Sequence, residues 1–438
     1  MQLPSGAVRR GKLRGLVALV CAVTGACALA PAAQARKGME LALSDDPVLL
    51  ARHYYDRDRA FQNARELGVT RVRVFVNWAG VMGKQRDSTT APGEPTWHWG
   101  IYEELIDAAA RAGIRVQLDL AGPAPRFATG DKELSMTSPD PNQFAVFARA
   151  AATRFRGRVD RYSIWNEPNH DGWLRPSADA PRLYRALYVA GHAAIKQADP
   201  GAAVLFGETA PYHGTRAMAP LTFLRRTLCL TPKYRPDRKC LAAMPEGTRG
   251  RLVTDGYAHH PYDFRNAPEY RYKGADNVTM GTLARLTKAL DRAARAGALW
   301  GPKKKRGPDV FLTEFGYFAT GPRATLSEKK RAAYLPRAYS IALKNKRVRQ
   351  MLHYGLAAPP PEYPGGAFDF GLVHTDGSAR PTYGPLVQWA QRAIAKQQVA
   401  APGGPVALPS PHPGADPPPE EAPPDDEPQP LVPLPPFP

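Results

Sequence analysis

The sequence of 438 residues lacks the patterns of several common functional sites. Cysteine is scarce, with four residues and no C-x-x-C spacing, and no H-x-x-x-H occurs, which argues against a metal site of those types. No G-x-G-x-x-G turn follows an early strand, which argues against a doubly wound sheet that binds a dinucleotide. We therefore expect a protein that needs no metal and no cofactor.

Long hydrophobic runs are also missing. The apolar run Leu16–Ala30 is too short to span a membrane comfortably, and four basic residues precede it. An Ala-x-Ala pattern ends at Ala35, so residues 1–35 are predicted to be a secretory signal peptide and the protein to be secreted. A lipid anchor at Cys27 is the alternative, which the preceding "TGA" matches poorly.

Charge is distributed unevenly along the chain. The formal net charge is +19, yet residues 398–438 hold acidic and no basic residues and are rich in proline. Such a composition predicts a disordered tail, a spacer or a point of cell-wall association. The positive remainder could favour acidic polysaccharides such as uronic-acid polymers, although solvated arginines explain it as well. Secretion argues against nucleic acid as a partner.

Two cysteines remain after the leader. Cys229 and Cys240 lie in one polar loop, "CLTPKYRPDRKC". In an oxidising compartment this arrangement predicts a disulfide, with two free thiols as the alternative.

Residues 36–397 repeat one theme, an alanine- and arginine-rich helix, a break and a β-rich run. Gly68 and Gly113 stand at two of the breaks. Strands that alternate with helices predict a parallel sheet, and eight such units fit an α/β fold, the (β/α)8 TIM barrel. The strands are predicted to begin near Leu41, Val72, Val116, Tyr162, Val204, Gly256, Val310 and Met351.

Two glutamates follow strands of this predicted barrel. Glu167 follows the fourth strand in "YSIWNEPN", and Glu314 follows the seventh in "VFLTEFG". Active sites of such barrels lie at the carboxyl ends of the strands, so both side chains can face one opening. Glycoside hydrolysis needs such a pair, one carboxyl group to protonate the leaving oxygen and one carboxylate to attack or to activate water.

Other residues at the strand ends suit a sugar site. Asn166 can hydrogen-bond a sugar hydroxyl, and Trp78 offers a flat apolar face for stacking. Strand alternation favours His260 with Tyr262, rather than His259, on the side of the opening. Asp119 and Glu208 also end strands, but no motif supports more than a supporting or loop role for them.

The chain resembles clan A of the glycoside hydrolases, in particular families 39 and 5. The motifs that carry the resemblance are "IWNEPN", "AHHPY", "TEFGY" and "FDFGLVHTDGSARPTYGPL". The resemblance implies a retaining mechanism on an oligo- or polysaccharide, with Glu167 as acid/base and Glu314 as nucleophile. It further implies that Asn166 binds the sugar 2-hydroxyl, that His260 and Tyr262 line the same subsite, and that Arg73 keeps Glu314 ionised. Strand alternation alone leaves open whether Arg73 points into the barrel.

One feature departs from the clan. Members commonly carry a tryptophan at the end of strand eight, where this chain has "MLHYG". Tyr354 or Tyr363 is the candidate substitute beneath the sugar. The departure keeps open the alternative of a carbohydrate-binding barrel without turnover. A third possibility is a wall-associated structural protein, with the tail as a stalk and the barrel as a spacer. We expect a monomer, and a separation of about 5–5.5 Å between the two carboxyl groups if the mechanism is retaining.

Overall fold

The computed structural model describes residues 38–303, 306–363 and 368–410. Eight strands, numbered along the chain, are β1 (Glu40–Ser44), β2 (Arg71–Asn77), β3 (Arg115–Ala121), β4 (Arg161–Ile164), β5 (Ala203–Thr209), β6 (Gly256–His259), β7 (Val310–Leu312) and β8 (Val348–Tyr354). They form a closed parallel barrel in the order β1-β8-β7-β6-β5-β4-β3-β2. The predicted (β/α)8 barrel is confirmed.

Helices surround the barrel and connect its strands. In the described part of the chain they are α1 (Asp46–Leu49), α2 (Arg57–Glu66), α3 (Trp78–Val81), α4 (Gly100–Arg111), α5 (Pro141–Arg154), α6 (Ala180–Ala198), α7 (Pro220–Thr227), α8 (Arg238–Ala243), α9 (Leu283–Arg295), α10 (Glu328–Lys344) and α11 (Tyr383–Ala395). Shorter 3-10 turns cover Gly83–Asp87, Arg126–Ala128 and Met280–Thr282. A two-residue parallel pair, Leu252–Val253 with Leu299–Trp300, lies outside the barrel.

Local sequence sets where these helices begin and end. The Asp140 side chain accepts hydrogen bonds from Asn142 N and Gln143 N at the start of α5, where proline fills the first helical position. Gly68 and Gly113 follow α2 and α4 with φ of 74° and 70°, a left-handed conformation that glycine adopts without strain. The glycine breaks in the sequence are therefore the points at which the chain turns into β2 and β3.

Successive side chains of β2 point alternately into two buried regions, the layer between barrel and helices and the inside of the barrel. Val72, Val74 and Val76 are fully buried and belong to the apolar layer between barrel and helices. Arg71 and Arg73 have the opposite parity and are also fully buried, inside the barrel. Part of the barrel interior is therefore ionic.

An ionic network fills the amino-terminal end of the barrel. Arg71 donates to Asp160 Oδ1 at 2.6 Å and to Glu40 Oε1 at 3.3 Å, and Arg161 donates to Glu40 Oε2 at 2.7 Å. Burial alone would raise the pKa of Glu40, but the arginines Arg71, Arg161 and Arg115 outweigh it and lower that pKa to about 2. This end holds paired charges.

The predicted disulfide is present. Cys229, just after α7, is joined to Cys240 within α8, with their Cα atoms 5.3 Å apart, in the stretch between β5 and β6. The bond closes a short loop, so it restricts the unfolded chain.

The beginning of the predicted tail packs on the barrel. Met39, just before β1, donates from its backbone N to Gln398 O at 3.1 Å and accepts from Ala400 N at 3.0 Å. Val399 is 2% exposed. The backbone of residues 398–400 thus pairs with that of Met39, so packing on the barrel continues past position 398, where the tail is predicted to start.

The predicted signal peptide (1–35) and the tail beyond residue 410 lie outside the described residues. Within the part of the chain that the structure covers, no helix has the length and apolar character needed to cross a membrane.

Candidate active site

The carboxyl ends of β4 and β7 bring Glu167 and Glu314 to one opening of the barrel. One oxygen of each carboxyl group and one nitrogen of His260 lie within 4.8 Å of one another. All three side chains are almost completely buried. Two glutamates that are 147 positions apart in the sequence therefore form one group.

The backbone around Glu167 is in an unusual conformation. Trp165 and Glu167 have φ of 64° and 35°, in the left-handed region that residues with side chains rarely adopt. Trp165 N donates to Leu120 O at 2.8 Å, Trp165 Nε1 donates to Trp173 O at 2.6 Å, and His170 N donates to Glu167 O at 2.8 Å. These bonds hold a conformation that costs about 1–3 kcal/mol per residue, and such strain clusters at functional sites.

Arg73 lies at the centre of the cluster. It points into the barrel, which answers the question that alternation left open. Its Nη1 donates to Glu314 Oε1 at 3.0 Å, and its Nη2 lies 2.7 Å from Asp119 Oδ2, 3.0 Å from Asn166 Oδ1 and 3.2 Å from Glu208 Oε2. One buried guanidinium thus faces three carboxylates and an amide oxygen.

His260 is the second cation. Its Nδ1 lies 2.9 Å from Glu167 Oε1, and its Nε2 lies 2.7 Å from Glu208 Oε2. Burial alone would lower the pKa of His260, but Glu314, Glu167 and Glu208 outweigh it and raise that pKa to about 10. Both ring nitrogens therefore carry a proton at neutral pH and donate to oxygens of Glu167 and Glu208.

The two glutamates have different surroundings. Both oxygens of Glu314 accept hydrogen bonds, Oε1 from Arg73 and Oε2 from Tyr262 OH at 3.1 Å. Glu167 receives one donor, His260, while its Oε2 has no hydrogen-bond partner. Burial raises the pKa of Glu167, whereas the bond from His260 opposes the rise. Glu314 is therefore held at both oxygens, whereas Glu167 keeps one oxygen free at which it can carry a proton.

A bulge in β5 brings Glu208 into the cluster. The register against β6 shifts between Phe206 and Thr209, and Gly207 and Glu208 have φ of 123° and 46°. The bulge turns Glu208 towards the interior, where its Oε2 also accepts from Thr313 Oγ1 at 2.6 Å. Burial favours the neutral acid, but Arg73 and His260 lower the pKa of Glu208 to about 2.

The other predicted residues occupy different places. Asn166 is buried in the cluster, and Tyr354 is half-buried at the end of β8, with its ring edge-on to Phe370 at 5.7 Å. Trp78 does not join them: it begins α3, and its ring stacks on Phe147 of α5 at 5.6 Å. The predicted sugar-stacking role of Trp78 is therefore corrected, because its side chain packs in the helix layer.

An aromatic pair that the sequence did not single out lies above Arg73. The guanidinium is 4.6 Å from the centre of the Phe75 ring, a cation–π distance. Phe75 also stacks on Trp173, with ring centres 5.7 Å apart and planes 11° from parallel. Phe75 shares the parity of Arg73 on β2, so the alternation could have indicated it.

Two buried aspartates were undervalued or missed. Asp119 meets Arg73, but burial dominates and raises its pKa to about 8. Asp46 follows β1 and accepts from Phe75 N at 2.9 Å, and burial raises its pKa to about 7. Asp45 and Asp46 follow a strand in "LALSDDP", so the rule that found Glu167 could have found them.

One group among the described residues has spacing suited to a metal ion, namely Glu167, His260 and Glu314. A protonated imidazole has no lone pair to offer, and the raised pKa of His260 places it in that form at neutral pH. These residues are therefore better suited to move protons than to bind a cation.

We expect stability to fall between pH 6.5 and 9. The folded-state pKa values of His260, Asp119 and Asp46 lie above their ordinary values of 6.5, 3.8 and 3.8, so the folded chain holds these protons more strongly than the unfolded chain. Their stabilisation is complete below the unfolded pKa and is lost as pH rises through the folded pKa, by about 1.4 kcal/mol per pH unit for each proton. Urea unfolding at several pH values measures it.

The predicted fall in stability begins at pH 6.5 because, below that pH, three buried histidines make the unfolding free energy rise with pH. Burial lowers the pKa values of His170, His259 and His353, so their effect is complete once the unfolded histidine has lost its proton. The variant Asp119→Asn should show a shallower fall between pH 6.5 and 8. A wild-type unfolding free energy that is flat or rises across the window would contradict the charge assignment.

The family model described as cellulase, glycosyl hydrolase family 5, matches residues 35–349. No curated protein sequence matches the chain.

Solved structures with a similar fold share little sequence identity. A family 39 glycoside hydrolase from Bacteroides cellulosilyticus WH2 is 20% identical over 81% of this chain, which spans 64% of that protein, with a TM-score of 0.59. A family 39 β-xylosidase from Caulobacter crescentus is 18% identical over 81% of this chain and 72% of its own, with a TM-score of 0.53. An exo-β-1,4-mannosidase from Opitutaceae bacterium strain TAV5 is 18% identical over 83% and 61%, with a TM-score of 0.52. At this identity, these likenesses concern the fold.

Proposed function

The chain belongs to the cellulase family, glycosyl hydrolase family 5, and from this premise we propose that it is a secreted, retaining glycosidase acting on an oligo- or polysaccharide. The observation that carries the proposal is the pair Glu167 and Glu314. Their nearest oxygens lie within 4.8 Å, and one carboxyl group is fully hydrogen-bonded while the other keeps a free oxygen and a raised pKa.

The close approach of the two carboxyl groups, whose nearest oxygens lie within 4.8 Å, supports the retaining route. An inverting enzyme needs about 6.5–9.5 Å between its carboxyl groups to admit a water molecule, while a retaining enzyme needs about 5–5.5 Å. Glu314 then attacks the anomeric carbon, while the proton of Glu167 passes to the leaving oxygen as the glycosidic bond breaks. In the second step Glu167 takes a proton from water, whose oxygen displaces Glu314 and releases the sugar.

Neighbouring residues would orient these two groups. Arg73 and Tyr262 hold the oxygens of Glu314 in place for attack. His260 donates to Glu167 Oε1 and leaves Oε2 for the proton that is transferred. Asn166, held by Arg73, is placed beside the acid, where its amide can meet the 2-hydroxyl of the sugar. Tyr354 takes the place of the tryptophan usual in the clan.

Secretion is supported by the disulfide, because such bonds persist in oxidising compartments. A monomer that is associated with the cell wall through its tail remains part of the proposal.

The stereochemistry of hydrolysis tests the mechanism. The mature protein is incubated with aryl glycosides of glucose, mannose and xylose, and the anomer released first is identified by NMR before mutarotation. Release of the anomer that the substrate carried is the expected result. Release of the opposite anomer would overturn the nucleophile assignment, and absence of release from these and from a polysaccharide panel would overturn the glycosidase.

A further inference from the structure

We propose that Asp46 recognises a hydrogen-bond donor on the sugar ring in the cleavage subsite, and that this subsite rejects sugars that carry a carboxylate. The inference deepens the proposed glycosidase function and rests on it. It opposes what the net charge of +19 suggests, because the charge around the site differs from the charge of the whole chain.

The order of the barrel strands places Asp46 on the same rim as Glu314, with β8 between their two strands. β7, β8, β1 and β2 are consecutive neighbours, so Glu314, Tyr354, Asp46 and Phe75 succeed one another along one wall of the opening. Ser44 pairs with Tyr354 in the register of β1 with β8, and Asp46 follows two residues later. Asp46 also binds the backbone of Phe75, whose ring covers Arg73.

Asp46 has an acceptor that the fold does not use. Its Oδ2 accepts from Phe75 N, but its Oδ1 is buried without a partner. The adjacent Asp45 differs, since its Oδ2 accepts from Leu356 N at 2.7 Å and Ala357 N at 3.2 Å. Glu167 Oε2 is likewise buried in the free protein, although it must reach the glycosidic oxygen. Burial of Asp46 Oδ1 therefore does not argue against its contact with a bound sugar.

Oxygens without a partner outnumber nitrogens without one in this cluster. Asp119 Oδ1, Glu167 Oε2 and Glu208 Oε1 are also buried without partners. Arg73 Nε is the one nitrogen of the two cations that lacks a partner, because Arg73 Nη1 and Nη2 and both nitrogens of His260 already face carboxyl groups. The carboxyl groups are Asp45, Asp46, Asp119, Glu167, Glu208 and Glu314, against the cations Arg73 and His260. Burial favours a proton on Asp119 and Glu167, yet the other four acids still outnumber the two cations. Sugar hydroxyls or an ammonium group bring the missing donors.

A uronic acid would bring the wrong charge. Its carboxylate adds acceptors and a negative charge to a buried site that has an excess of both, and no free cation is available among these residues to pair with it. Burial already raises the pKa values of Asp46 and Asp119 to about 7 and about 8. A neutral or an amino sugar would not meet this repulsion.

The test compares aryl glucosides and mannosides with their uronate, amino and monodeoxy analogues, all with one leaving group. For the wild type we expect kcat/KM on the uronate to be at least about 100-fold below that of the neutral parent, consistent with the cost of an unpaired buried charge. One deoxy analogue should lose about 10–100-fold in the wild type, but less than about threefold in Asp46→Ala, because the lost hydrogen bond to a carboxylate is already absent. The amino analogue shows whether the donor can be an ammonium.

Glu40→Gln is the matched control. Glu40 and Asp46 lie at opposite ends of β1 and are each 8% exposed, so both variants remove a buried acid from the same region of the fold. The control should keep the wild-type ranking of substrates. A uronate hydrolysed within threefold of its parent, or a wild-type deoxy profile in Asp46→Ala, would overturn the inference.

The inference and the function can fail separately. If the wild type hydrolyses the neutral parents, the glycosidase stands and the analogues decide the role of Asp46. If it hydrolyses none, the proposed glycosidase function is wrong. Calorimetry with neutral and uronate methyl glycosides then tests whether the subsite excludes sugars that carry a carboxylate. Binding of neutral sugars alone would preserve it, whereas binding of uronates or of neither class would overturn it.

Discussion

Glu314→Gln should lower kcat by about 10⁵-fold or more while leaving the melting temperature close to that of the wild type. The amide cannot form the glycosyl ester, and losses of this size follow removal of an enzymatic nucleophile. The substitution keeps the shape of the side chain, so its bonds to Arg73 and Tyr262 need only local adjustment. Single-turnover kinetics with an activated aryl glycoside, together with thermal unfolding, measures both quantities.

Rescue by azide separates the two glutamates. In Glu167→Ala the first step still occurs with a good leaving group, and azide should attack the glycosyl–enzyme to give a product with the configuration of the substrate. In Glu314→Ala azide should take the place of the nucleophile and give the opposite configuration. The same configuration from both variants would contradict the assignment of acid and nucleophile.

Arg73→Met should cost about 3–5 kcal/mol of unfolding free energy and also abolish turnover. The change leaves Asp119, Glu208 and Glu314 buried without their shared cation, and breaking a buried ion pair by removing one partner has a cost of this size. Arg73→Lys should recover part of the stability and little of the activity, because a single ammonium cannot reach acceptors spread over two guanidinium nitrogens. Urea unfolding and kcat are the measurements.

Arg71→Met provides the control for this prediction. Arg71 lies two residues earlier on the same strand, is equally buried, and pairs with Glu40 and Asp160 at the other end of the barrel. It should lose comparable stability yet keep the wild-type kcat per folded molecule. An Arg73→Met variant as stable as the wild type would show that the cluster does not depend on this guanidinium.

The fold could be predicted from the sequence because each repeated unit contains its own markers of a helix end and of a strand. Glycine breaks such as Gly68 and Gly113 mark where helices end, and the β-branched runs that follow contain the strands. All eight barrel strands begin within three residues of the predicted positions, the largest difference being at Val348, predicted near Met351. The packing of residues 398–400 was not foreseen, because composition alone does not reveal a backbone pairing such as that of Met39 with Gln398.

The candidate site was readable only in part. Glu167 and Glu314 follow from the rule that active sites lie at strand ends, but Trp78 was selected by residue type against the alternation of β2. With Arg73 pointing inwards, Phe75 and Asn77 share its side and Trp78 does not. Glu208 depends on a bulge, for which Gly207 within a strand was the one available signal. Which charged groups pair depends on how the strands meet in the folded barrel, so the spacing of these residues along the sequence could not reveal it.

The pairing of Met39 with residues 398–400 has a consequence for orientation. Met39 leads directly into the amino-terminal end of β1, so both ends of the described barrel leave the molecule on the face opposite Glu167 and Glu314. Further along, Pro409 still lies near Gly157, which precedes β4 on that same side. A tether at either end would turn the amino-terminal face of the barrel towards the support. The opening at Glu167 and Glu314 would then face away from the support and be accessible to large or insoluble glycans.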